Sequence, residues 1–108
     1  MINQVILVGR IARKPILHTD NNNKKICNLT LAVNRSFKNE SGIYETDFIK
    51  IILTSVVAER VVDCCNIGDI IGIKGKLEVQ NNALKVIAEK VTFLATNNTG
   101  KEIINNEE

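Results

Sequence analysis

Phe48 and Lys50 stand two residues apart in ETDFIKIILT. There Ile49, Ile51 and Leu53 point one way and Phe48, Lys50 and Ile52 the other, the period of a half-buried strand. A ring and an ammonium on the wetter face can take a nucleobase by stacking and a phosphate by charge. An edge aromatic half-buried against a neighbouring strand would show the same pattern, and periodicity leaves the two open. Lys74 and Lys76 form a second cationic pair on one face of IGDIIGIKGKL. Catalytic chemistry finds little support. Asp20, Asp47, Asp63 and Asp69 are scattered, and His18 has no evident partner. Cys27, Cys64 and Cys65 include no Cys-x-x-Cys pair and read as reduced apolar fillers. The expectation is no metal, no cofactor and no enzyme.

These residues need strands to hold them. Residues 3–11 read as a first strand, with Val5, Leu7 and Ile11 toward the core and Ile6 and Val8 on the other face. A strand apolar on both faces is central in a sheet or covered by another subunit; in so short an all-β chain the second reading is favoured. Gly9 suggests a bulge or bend. Pro15 ends that strand, and HTDNNNKK (18–25) reads as a loop. Cys27, Leu29, Leu31 and Val33 alternate in the second strand, residues 38–42 form a turn, and the third strand reaches Thr54. Thr54 or Ser55 can cap a helix whose stripe is Val57, Val61 and Cys64/Cys65 and whose C-cap is Gly68. The fourth strand follows from Asp69 to Val79, its core side being Ile71, Ile73, Leu77 and Val79. The fifth, about Leu84 to Leu94, changes phase, which a bulge near Ala88–Lys90 would explain. Phe93 is assigned to the core rather than to a site.

The order strand, strand, strand, helix, strand, strand implies an all-β chain. It fits an OB-fold, a five-stranded Greek-key barrel with one α-helix between strands 3 and 4. Residues 1–96 make the domain and 97–108 a short polar, acidic tail expected to be disordered. Of 14 Lys and Arg and 12 Asp and Glu, one Lys and three Glu fall in the tail, so the body carries a net +4. A mildly basic body fits a polyanion partner, though many ordinary domains share it. No apolar run reaches 18 residues and MINQVILVGR reads as a strand rather than a signal peptide, so a cytoplasmic protein with no membrane partner is expected.

The chain resembles the bacterial single-stranded DNA-binding proteins, the SSB family. The resemblance rests on MINQVILVGRI with Pro15, NLTLAVNRSF, ETDFIKIIL with Ala58-Glu59, IGDIIGIKGKL and VTFL, in that order over residues 1–95. It implies sequence-nonspecific binding that coats and protects single-stranded DNA in replication, recombination and repair, close to the nucleoid. It implies a homo-oligomer assembled through strand one, with a tetramer favoured and a dimer possible. By position, Phe37 and Phe48 match stacking aromatics and Lys50 a basic contact. Arg10, Arg35, Lys74, Lys76 and Lys85 join them from charge and face.

There are departures. No tryptophan is present, Thr54 stands where many relatives carry an aromatic, and the hairpin between strands four and five is cut to a few residues around Asn81-Asn82. Tyr44 offers partial compensation. Asn105-Asn106-Glu107-Glu108 lacks the apolar anchor of the family's acidic tip, so recruitment of replication and repair proteins by that route is doubtful. A primosomal-type OB-fold assembly subunit, with DNA contact secondary, is the alternative.

Overall fold

The computed structural model describes residues 1–96, and the expected tail at 97–108 lies outside them. The elements are β1 (Val5–Ile11), β2 (Leu17–Thr19), β3 (Lys25–Lys38), β4 (Tyr44–Thr54), α1 (Ser55–Cys64), β5 (Ile70–Gln80) and β6 (Ala83–Ala95). Strands run in the order β1-β5-β6-β4-β3-β2, and β1 also pairs with β3. That last pairing closes β1, β3, β4, β5 and β6 into a barrel, with β2 attached outside β3. With α1 between the third and fourth barrel strands, this is the OB architecture. No helix among the described residues is long and apolar enough to cross a membrane.

The inward rows of the strands supply the core. Cys27, Leu29 and Leu31 of β3, Ile51 and Leu53 of β4, Ile71 and Ile73 of β5 and Ile11 of β1 are buried. Each large aliphatic among them contributes roughly 1.5–3 kcal/mol by leaving water. Helix α1 adds Ala58 and Val61 to that cluster. β1 can serve two neighbours because Gly9 lets it approach β3: a Cβ there would lie 2.4 Å from the Ala32 carbonyl oxygen. Gly9 therefore permits a close crossing; of the bulge or bend expected here, the β1–β5 register runs through Gly9 without a bulge. The bulge expected in the last strand is present. Lys74 pairs with Lys90 and Gly75 with Ala88, so Glu89 is the extra residue.

Several local expectations change. The stretch 18–25 is half a hairpin. Leu17, His18 and Thr19 pair with Cys27, Ile26 and Lys25, and the Asp20 carboxylate accepts the Asn22 and Lys24 amides to close the turn. β1 begins at Val5 rather than Asn3, yet the Asn3 side-chain amide exchanges two hydrogen bonds with the Leu77 backbone and so extends the ladder. Thr54 occupies the N-cap position without a side-chain cap bond, since the chain enters α1 directly from β4 with Ser55 at φ 56°. The helix ends at Cys64. Gly68, at φ 90°, belongs to the following turn, where Asp69 accepts the Asn66 amide.

Cys27 and Cys65 are buried, and burial pushes both thiols up from the usual range, but Cys64 is exposed and fills nothing. Phe93 is exposed at a second register slip of β6, where Leu94 is the extra residue, and so is not a core ring. Leu77 and Val79 are exposed too. β5 and β6 continue beyond the barrel as a two-stranded arm, closed by Asn81 and Asn82 at φ 52° and 61°. A two-residue loop with both positions at positive φ is the type I′ hairpin.

Candidate nucleic-acid interface

The outer faces of β3 and β4 are set by register. Asn28 lies opposite Ile52, Thr30 opposite Lys50, Ala32 opposite Phe48 and Asn34 opposite Thr46. Phe48 is 66% exposed, because its neighbour across the ladder is only an alanine. Tyr44 is on the same face by alternation, about 13 Å further along the strand. The Lys38 ammonium sits 5.7 Å from the Tyr44 ring centre and steadies it by cation–π attraction. Arg10 of β1 is opposite Ala32 on that residue's other side, so Arg10, Ala32 and Phe48 form a row across three strands.

Beside this face runs a groove of about 830 Å³. Its walls come from three places: Asn28, Thr30, Lys50 and Ile52 on the β3–β4 face, Arg13, Lys14 and His18 on the β1–β3 connection, and Leu84, Lys85 and Val86 on the β5–β6 arm. The face of the second and third barrel strands, with the loops joining strands one to two and four to five, is where OB-folds take oligonucleotides and oligosaccharides. Arg13, Lys14, Lys50 and Lys85 form no ion pair with another described residue. Four such cations along one groove fit a polyanion. Among the described residues no group of three or more His, Cys, Asp or Glu could hold a metal ion.

The structure brings together only part of the expected set. Lys50 and Lys85 line the groove. Phe48 shares the face of Lys50, and Arg10 reaches the same row while donating one bond of 2.8 Å to the Gly68 carbonyl. Phe37 is exposed in the register-shifted end of β3, away from the groove.

Arg35 does not join the groove. It contacts Glu45 at 2.9 Å and Asp47 at 3.0 Å, residues that alternation places on the face of β4 opposite Phe48. Its bond to Asp47 raises the guanidinium pKa and lowers that of the carboxyl. Lys74 and Lys76 are not among the residues that line the groove. Lys74 is opposite Ile6 of β1, on the face where Ile6 and Val8 emerge, and Lys76 lies 3.7 Å from Glu78. Arg13 and Lys14 also line the groove, and neither is among the residues singled out from the sequence. The available signal was the fold itself, which makes that connection one wall of the site.

Comparison with known proteins agrees with this architecture. Residues 2–95 match the profile of the Single-strand binding protein family. Single-stranded DNA-binding protein 1 of Staphylococcus aureus (strain MSSA476) is 38% identical over 108 residues, covering 92% of this chain and 69% of that protein. The single-stranded DNA-binding protein of Streptococcus mutans is 41% identical over 81 residues, covering 75% and 49%. A crystal structure of a deletion mutant of the single-stranded DNA binding protein from Thermus aquaticus superposes with a TM-score of 0.68 at 26% identity, covering 86% of this chain and 50% of that one. The chain thus spans between half and about two thirds of these proteins' lengths, and it belongs to the single-strand binding protein family.

Proposed function

We propose that this chain binds single-stranded DNA without sequence preference and coats it during replication, recombination and repair. The observation that carries this reading is the groove, where four cations without ion pairs flank the face that presents Phe48. Phosphates lie against Arg13, Lys14, Lys50 and Lys85, and a base stacks on Phe48. Arg10, Phe37 and Tyr44 extend the track beyond the groove. The protein acts by binding rather than catalysis and works in the cytoplasm beside the nucleoid. Residues 1–96 form its binding domain.

The contribution of one phosphate contact is measurable. Each neutralised phosphate of a single strand adds about −0.7 to the slope of log affinity against log salt. Lys50→Ala should flatten that slope by about 0.7 and weaken binding equally on oligo-dT and mixed sequences. Arg35→Ala, which removes a residue occupied by Glu45 and Asp47, should leave the slope unchanged. Equal slopes for wild type and Lys50→Ala would remove Lys50 from the site.

Assembly is proposed through β1. Ile6 and Val8 are 68% and 53% exposed on one face, and β1 pairs with β3 only at Arg10 and Ile11, which leaves one edge of Val5–Val8 open to a second copy. A tetramer is favoured over a dimer. This face carries Lys74, and we read that lysine as part of the contact between copies rather than as a DNA contact. Ile6→Glu should shift sedimentation at micromolar concentration toward the monomer, and an unchanged profile would place the contact elsewhere.

A further inference from the structure

The far end of the β3–β4 hairpin carries a polar network away from the groove. The ladder pairs Asn34 with Thr46 and then Lys38 with Tyr44, so Arg35, Ser36 and Phe37 stand opposite Glu45 alone. Three residues against one is a wide irregularity, and a stretch without ladder partners must be ordered by other contacts. Phe37 lies in this stretch and is 73% exposed.

Glu45 grips the stretch from both ends. Its Oε1 meets the Arg35 guanidinium at 2.9 Å, and its Oε2 accepts the Asn39 side-chain amide at 3.1 Å. Both grips are themselves fixed. Arg35 donates through Nε and Nη2 to the two Asp47 oxygens at 3.1 and 3.0 Å, a fork that sets the plane of the guanidinium. The Asn39 Oδ1 accepts the Ser41 and Ile43 amides, and the Asn39 amide donates to the Ile43 carbonyl, which anchors Asn39 in the turn. One carboxylate thus spans the residues that carry Phe37, from Arg35 before the ring to Asn39 after it.

We propose that Glu45 is a positioning residue for DNA binding, a clip that touches no DNA but fixes the backbone holding Phe37, so that the ring is ordered before a base arrives. This inference rests on the single-strand binding reading, with Phe37 on the DNA track. Ordering a side chain in advance lowers the entropy cost of binding. The consequence is opposite in sign to simple electrostatics. A carboxylate near the track of a polyanion repels it, so losing the charge alone should tighten binding. Losing the clip should loosen it.

The test uses the full chain and a labelled dT oligonucleotide followed by anisotropy. Glu45→Ala should weaken binding by about fivefold, the effect of ordering one side chain. Its salt slope should stay that of wild type, since no phosphate contact is lost. Glu45→Asp keeps the charge but is one methylene too short to reach both Arg35 and Asn39, and it should weaken binding as well. In a Phe37→Ala background, Glu45→Ala should cost nothing further, a dependence that general damage to the fold would not produce. The ion pairs are exposed, so the melting temperature should stay near that of wild type. A Glu45→Ala protein that binds dT as tightly as wild type, or more tightly, would overturn the clip. Equal loss with and without the Phe37 ring would overturn it too, as would a Phe37→Ala protein that binds like wild type. If wild type itself failed to bind dT in a salt-dependent way, the single-strand reading would fall and the clip with it. That result differs from an intact wild type beside an unaffected Glu45→Ala, which removes only the clip.

Discussion

Alanine at Gly75 should destabilise the barrel by about 3 kcal/mol, which lowers the melting temperature of a domain this size by roughly 12–24 °C. Gly75 lies at the register slip between β5 and β6, beside the bulged Glu89. A Cβ there would meet the Ile87 carbonyl oxygen at 2.1 Å and the Ala88 Cα at 3.1 Å. Both are backbone atoms held in the ladder, so neither can rotate away as a side chain would. Relief requires β5 and β6 to separate at the place where the sheet bends from barrel into arm. Gly72, three residues earlier on the same strand, is the internal control, since its added Cβ would find nothing nearer than 3.7 Å. Thermal unfolding followed by circular dichroism should show Gly72→Ala close to wild type and Gly75→Ala far below it. Equal melting temperatures would mean that the close approach at Gly75 is not a fixed feature of the fold.

Phe48→Ala should cost roughly 5- to 150-fold in affinity for oligo-dT, the equivalent of one lost stacking platform. The ring is exposed and faces only Ala32 across the ladder, so its removal leaves no cavity, and stability should stay within about 0.5 kcal/mol of wild type. The salt slope should not change, because no phosphate contact is lost. With three phenylalanines, one tyrosine and no tryptophan in the chain, few rings can take over, which puts the expected loss in the upper part of that range. Phe48→Trp should restore binding or improve it. Anisotropy titration of the two variants beside wild type checks all of this. A Phe48→Ala protein that binds dT like wild type would mean that the outer face of β4 is not on the DNA path.

What could be read before the structure was whatever depends on local periodicity. Phe48 and Lys50 fall on one face because alternation along residues 48–53 is unbroken, and β4 has that geometry. The bulge at Glu89 could be inferred because the apolar phase of the last strand slips where the extra residue enters. What depends on the chain meeting itself was hidden. Leu77 and Val79 keep the core phase of β5, yet alternation cannot tell where a strand leaves the barrel, and they emerge on the arm. Arg35 looked like a free cation because its partners, Glu45 and Asp47, reach it only across the hairpin. β2 is three residues long, too short to show a period, and exists because β3 pairs with it. Arg13 and Lys14 enter the site only when barrel closure carries their connection alongside β4 and the arm.

The most direct test of the central claim is a titration of the full chain with labelled oligo-dT over a range of salt concentrations, beside a duplex of the same length. The groove predicts tight binding to the single strand whose log affinity falls linearly with log salt, at about −0.7 for each phosphate held, and much weaker binding to the duplex. Affinity that ignored salt, or duplex bound as tightly as single strand, would contradict it.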